Sequence, residues 1–337
     1  MDKKKGGISM GTKERILELL NRDRGAYLSG EELAERLRVS RTAVWKAVRT
    51  LQADGYEIRA VRNKGYSLAE TTDILSAEGV RSRLEPDCEF MTLQVLPSVP
   101  STNGVLRELA ANGAGEGTAV IANTQTAGRG RLGRHFYSPP DTGLYLSLLL
   151  RPRGYSSGEA VRVTTMAAVA ACRAIEAVSG QRARIKWVND ICMAGRKVSG
   201  ILTEGSFDME TGTLTHMILG IGINVYAPRE GFPEELRDIA GSVFPAQHRD
   251  AKNRIAAAFL NAFWKLYTAK DPLAYGEEYR SRSMVIGKPV TVISGERRRY
   301  GEALDVDRDC RLIVRFGDGT VEALSSGEVS IRPGDGE

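Results

Sequence analysis

The stretch Thr124-Gln125-Thr126-Ala127-Gly128-Arg129-Gly130-Arg131-Leu132-Gly133-Arg134 decides how this chain is read. Residues Gly128 to Gly133 match the dinucleotide-binding pattern G-x-G-x-x-G, which would point to a Rossmann fold. That pattern carries weight only when a helix opens directly after it and an acidic side chain follows about 20 residues on. Here it is followed by Arg134-His135-Phe136-Tyr137-Ser138-Pro139-Pro140, and two prolines and a serine do not open a helix. The Rossmann reading is therefore set aside. Glycine lets the main chain come close to a ligand, and arginine brings a permanent charge with a planar donor fork suited to phosphate and carboxylate. Taken alone, the loop is balanced between a solvated basic turn and a mobile arm that closes over an anionic ligand.

The chain has 337 residues, 42% hydrophobic and 26% charged, which gives room for two or three globular domains. It contains no run of about 18 apolar residues that would span a membrane. Its most apolar run, Leu144 to Leu150, has strand length, and Met1-Asp2-Lys3-Lys4-Lys5 leads into no apolar signal core. The expected location is the cytoplasm, with no membrane partner. Cys88, Cys172, Cys192 and Cys310 lack metal-ligand spacing and read as reduced thiols. His135, His216 and His248 are too scattered for a zinc site or a Ser-His-Asp triad.

Charge is concentrated at one end. Residues 1–70 hold 15 Lys and Arg against 10 Asp and Glu, while the remainder holds 32 of each sign. A basic end on a neutral body points to a polyanionic partner for that end, or to a solubilising tail at Lys3 to Lys5. Within it the sequence predicts three short helices and a hairpin. Thr12 is positioned to cap the first helix, and Ser29 with Glu32 forms a capping box for the second. Ser40 caps a third, whose apolar positions are Val44, Trp45, Val48 and Leu51, and Gly55 stops it. Strands at 56–61 and 66–68 flank Arg62-Asn63-Lys64-Gly65. This order is that of a winged helix-turn-helix, whose second helix enters the major groove by its N-terminal end. Ser40, Arg41, Thr42, Lys46 and Arg49 are then candidates for contacts to operator DNA, with Arg62 and Lys64 at the wing tip. Trp45 is read as packing.

The fold class is α+β multidomain. A winged helix-turn-helix is expected over 1–70, a linker over 71–85, a mixed α/β catalytic domain over 86–283, and a small β-barrel over 284–337. In the catalytic domain, strands are expected at 91–96, 118–123, 143–150, 183–188, 198–204 and 214–224. Helices are expected at 101–112, capped by Ser101, and at 158–179 and 250–268. The last domain offers short strands at Val290–Ile293, Tyr300–Leu304, Leu312–Phe316 and Val321–Leu324, with Asp318-Gly319 as the turn between the last two.

Further motifs are Ser101-Thr102-Asn103, Lys186-Trp187-Val188-Asn189-Asp190, Arg196-Lys197-Val198-Ser199-Gly200, and Gly220-Ile221-Gly222-Ile223-Asn224. Together with the arginine loop they resemble the biotin–protein ligase family. With the N-terminal winged helix, they resemble most its bifunctional members, which also repress a biotin operon. The family's middle motif usually reads KWPND; here Val188 stands for the proline. The resemblance implies a core like that of class II synthetases and an SH3-like C-terminal barrel. It implies synthesis of biotinyl-5′-AMP from biotin and ATP, followed by transfer of biotin to a lysine of the biotin carboxyl carrier protein. It also implies Mg²⁺, with biotin serving as substrate and corepressor, and a homodimer on operator DNA when biotinyl-AMP is bound.

Motif by motif, the resemblance implies that Ser101, Thr102, Asn103, Gln125, Gly128, Arg129, Arg131, Lys197 and Gly220 bind biotin. Arg131, Arg134, Phe136, Asn189, Lys197 and Asn224 would bind ATP or the adenylate. Lys197, Arg131 and Asp190 would be catalytic, Lys197 bridging the biotin carboxylate and the α-phosphate. Asp190 is left open between holding Mg²⁺, fixing Lys197 and accepting a proton. Trp187 either touches biotin's apolar tail or supports the site. Two alternatives stay open: a lipoate–protein ligase or related acyltransferase, and a regulator whose core only senses its ligand.

Overall fold

A computed structural model describes residues 11–152, 160–207, 210, 214–271, 273–294, 297–325 and 327–331. Lys3 to Lys5 and the first two positions of the helix expected at 158–179 lie outside them. The chain forms two compact bodies, one of Met1–Leu84 with His248–Ala257, the other of Glu85–Gln247 with Ala258–Glu337. No helix among the described residues is long and apolar enough to cross a membrane.

In the first body, α1 (Thr12–Arg22), α2 (Gly30–Leu37) and α3 (Arg41–Ala53) pack around Ile16, Leu20, Leu33, Val44, Val48 and Leu51. The Ser29 hydroxyl accepts from Glu32 N–H at 3.0 Å, and the Ser40 hydroxyl from Ala43 N–H at 3.1 Å, each satisfying an otherwise orphaned donor. Gly11, not Thr12, caps α1, and it does so without a side chain. Strands β1 (Ile58–Val61) and β2 (Gly65–Leu68) pair antiparallel around the expected tip, where Asn63 takes a left-handed φ of 65°. Trp45 departs from the sequence reading. It is 51% exposed, because it lies about 100° around the helix from the buried Val44. The Arg49 guanidinium lies 5.7 Å from its ring centroid. Arg41, Thr42, Lys46, Arg62 and Lys64 are also exposed.

The connector carries α4 (Ala77–Arg81), capped by Ser76. The same body takes in the first turns of α7 (Ala251–Tyr267). There the Asp250 side chain, 2% exposed, meets Arg24 at 2.8 Å and Arg83 at 2.7 Å. Asn253 donates to Asp250 and to the Ile74 carbonyl, and its amide oxygen accepts from Ser76 N–H.

The second body is built on a seven-stranded sheet of order β3-β4-β5-β9-β8-β7-β6. Its strands are Thr92–Leu96, Thr118–Ala122, Gly143–Leu150, Leu214–Asn224, Arg196–Phe207, Asp190–Met193 and Arg184–Lys186, in that order. Only β3 and β4 run parallel, so this is no Rossmann sheet. Helix α5 (Thr102–Ala111) packs on one face through Leu106 and Ala110, against Val120, Leu149 and Ile218. Helix α6 (Ala160–Ser179) serves the other face, where Thr164 and Thr203 hydroxyls lie 2.8 Å apart. Sequence periodicity missed β7 and α8 (Gly276–Arg282).

Arg282 of α8 bonds Glu176 at 2.7 Å and Glu278 at 2.9 Å, and Arg173 also bonds Glu278. Burial alone would push both carboxyls up, but these arginine contacts, joined at Glu176 by a hydrogen bond from Ala183 N–H, outweigh it and hold both below their ordinary value. Carboxylates depressed in the folded state add stability above the unfolded value, and that stability is lost as pH falls through the folded one. The melting temperature should hold from neutral pH down to about 4.5 and drop below it, and Glu278→Gln should flatten that drop in a calorimetric pH series.

Beyond α8, β10 (Lys288–Ser294), β11 (Arg297–Val306), β12 (Leu312–Phe316), β13 (Val321–Leu324) and β14 (Glu328–Ile331) form an antiparallel sheet of order β13-β12-β11-β10-β14. Gly319, at φ 85°, makes the expected tight turn.

Candidate active site

The site lies on the α5 face of the sheet, where side chains are missing. Ser147 pairs with Gly220, Tyr145 with Gly222, and Gly222 with Gly200, so these residues share one face of neighbouring strands. A Cβ on Gly222 would come within 2.7 Å of the Phe136 ring. One on Gly200 would stand 3.2 Å from both Phe136 and the Lys197 side chain. The glycines make a floor on which Phe136 lies, edge-on to Tyr145 at 6.3 Å.

Phe136 is delivered by the arginine loop, which folds back on itself. Phe136 N–H donates to the Gly128 carbonyl at 3.0 Å and Gly130 N–H to the Arg134 carbonyl at 2.7 Å. Any Cβ at Gly128 would press within 2.6 Å of the Phe136 carbonyl. At the tip Leu132 adopts φ 56° and is 76% exposed, a costly arrangement for an apolar side chain with a Cβ. Arg131 turns inward and donates to the Asn189 amide oxygen at 2.9 Å. Arg129 and Arg134 are exposed.

Asn189 belongs to the turn between β6 and β7. Its amide nitrogen donates to the Ile201 carbonyl at 3.0 Å. Next to it, Asp190 holds the Lys197 ammonium at 2.6 Å. Trp187 is buried and donates its indole N–H to the Cys310 carbonyl at 2.9 Å. It therefore supports the motif by joining the C-terminal sheet to the core. The Tyr279 hydroxyl donates to the Val188 carbonyl at 3.1 Å, and burial pushes this phenol well above its ordinary value, keeping it a neutral donor. The Trp187–Val188 peptide bond is cis.

A loop without a sequence signal of its own locks Lys197 in place. Lys197 N–H donates to the Ile239 carbonyl and the Lys197 carbonyl accepts from Gly241 N–H, each at 2.8 Å. The Asn224 amide donates to the Gly241 carbonyl at 3.0 Å, so Asn224 braces this loop.

The other end of the site presents mainly neutral polar groups. Ser101 precedes α5, but its hydroxyl makes no capping bond. Thr102 N–H donates to the Gln125 amide oxygen at 2.9 Å. Asn103 donates to Glu204 at 2.6 Å, and its amide oxygen stands where a Gly220 Cβ would be 2.2 Å away. One end thus offers neutral donors and acceptors, and the other offers Arg131, Lys197 and one carboxylate. This suits a ligand with a polar uncharged head and an anionic tail end. Among the described residues, no group of three His, Cys, Asp or Glu could hold a metal ion. All four cysteines are buried and free, and burial pushes the Cys88 and Cys192 thiols up to about 11.

Residues 95–224 match the biotin/lipoate A/B protein ligase family, residues 12–67 an HTH domain, and residues 285–332 the biotin protein ligase C-terminal domain. The chain is 35% identical over 317 residues to the bifunctional ligase/repressor BirA of Bacillus spizizenii, covering 92% of this chain and 96% of that one. It is 30% identical over 311 residues to BirA of Escherichia coli, covering 91% and 94%. The biotin protein ligase from Aquifex aeolicus, solved in complex with biotin and ATP, superposes with a TM-score of 0.59 at 27% identity, over 72% of this chain and 99% of that one. The fold and site thus define a biotin protein ligase, and the chain belongs to that family. Within it, the N-terminal helix-turn-helix places the chain among the bifunctional ligase/repressors.

Proposed function

We propose that this protein activates biotin with ATP as biotinyl-5′-AMP, transfers biotin to a lysine of the biotin carboxyl carrier protein, and represses biotin genes when the adenylate is bound. The observation that carries this reading is the convergence of Lys197 on Asp190 and Arg131 on Asn189 beside the glycine floor. Activation brings a carboxylate onto a polyphosphate. The carboxylate oxygen bonds to the α-phosphorus, the α–β bridge breaks, and pyrophosphate leaves. Fixed cations in a partly desolvated site offset the repulsion between these anions. The acceptor amine then attacks the acyl carbon and AMP leaves.

In this reading Ser101, Thr102, Asn103, Gln125, Gly128, Gly220 and Arg129 serve the biotin end. Arg134, Phe136, Asn189 and Asn224 serve the nucleotide. Lys197 and Arg131 act where carboxylate and α-phosphate meet. Asp190 first orients Lys197. As a lone carboxylate it also suits an Mg²⁺ carried chiefly by the phosphates, where the ion would neutralise developing charge. The domains run over 1–70, 71–85, 86–283 and 284–337. Incubation with ATP, Mg²⁺ and radiolabelled biotin tests the reading. Biotinyl-AMP trapped in a complex is expected, whereas activation of lipoate or octanoate in its place would make the protein a different acyl ligase.

Arg131→Gly is expected to let the adenylate escape, because it removes the contact that draws the loop onto Asn189. The free mixed anhydride would then label lysines at random. Labelling that stays confined to the natural acceptor would rule this role out.

For repression, Ser40, Arg41, Thr42, Lys46 and Arg49 on α3, with Arg62 and Lys64 on the wing, serve the DNA. A single winged helix covers a short half-site, so specificity calls for a homodimer. If biotinyl-AMP promotes that dimer, linkage requires it to tighten operator binding as well. Operator titration and sedimentation with and without biotinyl-AMP should shift together, and equal values in both conditions would leave a ligase without a biotin-responsive repressor.

A further inference from the structure

Helix α3 carries Arg41, Lys46 and Arg49 and no carboxylate, whereas α1 and α2 each hold acidic residues in their first turn. At about 100° per residue its side chains divide into two arcs. Val44, Ala47, Val48 and Leu51 are buried in one of them. Arg41, Trp45, Arg49, Thr42 and Lys46 follow one another in that order around the other, so Trp45 stands between two arginines. At 51% it has the highest exposure of any large apolar side chain among the described residues of this body. It is the fifth residue of α3, in the N-terminal part that a helix-turn-helix presents to base edges.

The cations on this arc can neutralise phosphates, which gives affinity and orientation but carries no sequence information. An indole ring does not serve that purpose. The apolar group that base pairs display in the major groove is the 5-methyl of thymine, and an exposed aromatic face suits it. The Arg49 guanidinium lies 5.7 Å from the Trp45 ring centroid. From one turn further along the helix it restrains the ring by cation–π attraction, so less side-chain freedom is lost when the ring meets DNA.

We propose that Trp45 is a specificity-determining residue: its ring packs on a thymine 5-methyl group in the major groove, with Arg49 holding it at that angle. The inference rests on the repressor reading and adds to it the kind of base that is read.

The test uses the full-length protein with biotin, ATP and Mg²⁺ to select duplexes from a library with a random centre. The selected duplex is then remade with deoxyuridine for thymidine, one position of each half-site at a time. This deletes a methyl group and leaves base pairing intact. At one such position wild-type affinity is expected to fall about fourfold per half-site, the scale of one buried CH₂ group. Trp45→Ala should bind the thymine and uracil duplexes alike, and Trp45→Phe, which keeps an aromatic face, should recover part of the preference. Salt dependence should match wild type, because no phosphate contact is removed. A wild-type protein indifferent to every methyl, or a fourfold response that persists in Trp45→Ala, would overturn the proposal. So would a shallower salt dependence in Trp45→Ala, which would make the ring a support for an Arg49–phosphate contact. If the wild-type protein selects no duplex at all, it is the underlying repressor reading that fails.

Discussion

Lys197→Ala should keep the fold and much of the biotin binding while adenylate synthesis falls about 10²–10³-fold. The ammonium is held at 2.6 Å by Asp190, and the main chain on both sides of it is locked by Ile239 and Gly241. It is thus preorganised and needs no movement as charge builds on the α-phosphate. Its ion pair is partly solvated, so the loss costs at most about 1 kcal/mol of stability. The effect falls on the rate because the charge is needed chiefly where two anions converge. Single-turnover pyrophosphate release, with biotin binding measured separately by calorimetry, separates the two contributions. A rate equal to wild type would remove Lys197 from the mechanism.

The second large effect is expected far from the chemistry. Asp250→Ala should destabilise the first body by about 3–5 kcal/mol, the cost of leaving buried charge without its counterpart. Arg24 and Arg83 both reach the Asp250 carboxylate, and their side chains are only 11% and 23% exposed. Removing the carboxylate takes the shared anion from two guanidiniums, which keep only neutral acceptors such as Asn21, Thr72 and Gly79, and also takes an acceptor from Asn253. Urea unfolding followed by tryptophan emission has a reporter in this body, the exposed Trp45. A loss under 1 kcal/mol would mean that the pairs contribute no more than surface ion pairs do.

Much of this architecture was legible because local signals agreed with packing. Strands β5, β9, β12 and β13 begin and end where turn residues bound apolar runs. The caps at Ser29 and Ser40 follow from hydroxyl chemistry that needs no tertiary context. Elements that owe their form to neighbours were not legible. Helix α8 buries little beyond Gly276 and Tyr279, so no apolar period announces it. Strand β7 is four residues long and opens inside the Asn189-Asp190 motif. Trp45 shares its hydrophobicity with Val44, but adjacent helical positions point about 100° apart, so one is exposed and the other buried.

In the site, the motifs carried Arg131, Asn189, Asp190 and Lys197 to one place, because the residues that must meet a ligand lie in short continuous stretches. What braces them was hidden. Ser147 reads as one tolerated hydroxyl in an apolar strand, and nothing local links it to Asn103, 44 positions away. Ile239 and Gly241 contribute main-chain groups, which carry no residue signature. Asp250 and Arg24 are partners across more than two hundred residues, and charge composition gives no hint of the pairing.

The first body is stitched from two distant parts of the chain, and this has a consequence for its birth on the ribosome. Residues up to Leu84 emerge early, but His248–Ala257 follow only after roughly 160 more have been made. At about 5–20 residues per second that is a wait of roughly 8–30 s. Throughout it Arg24 and Arg83 are translated and waiting, and the carboxylate that neutralises them has yet to be made. A nascent chain stalled before His248 should therefore be cut readily by protease around Ile74 and Ser76, and one stalled once Ala257 has cleared the exit tunnel should resist.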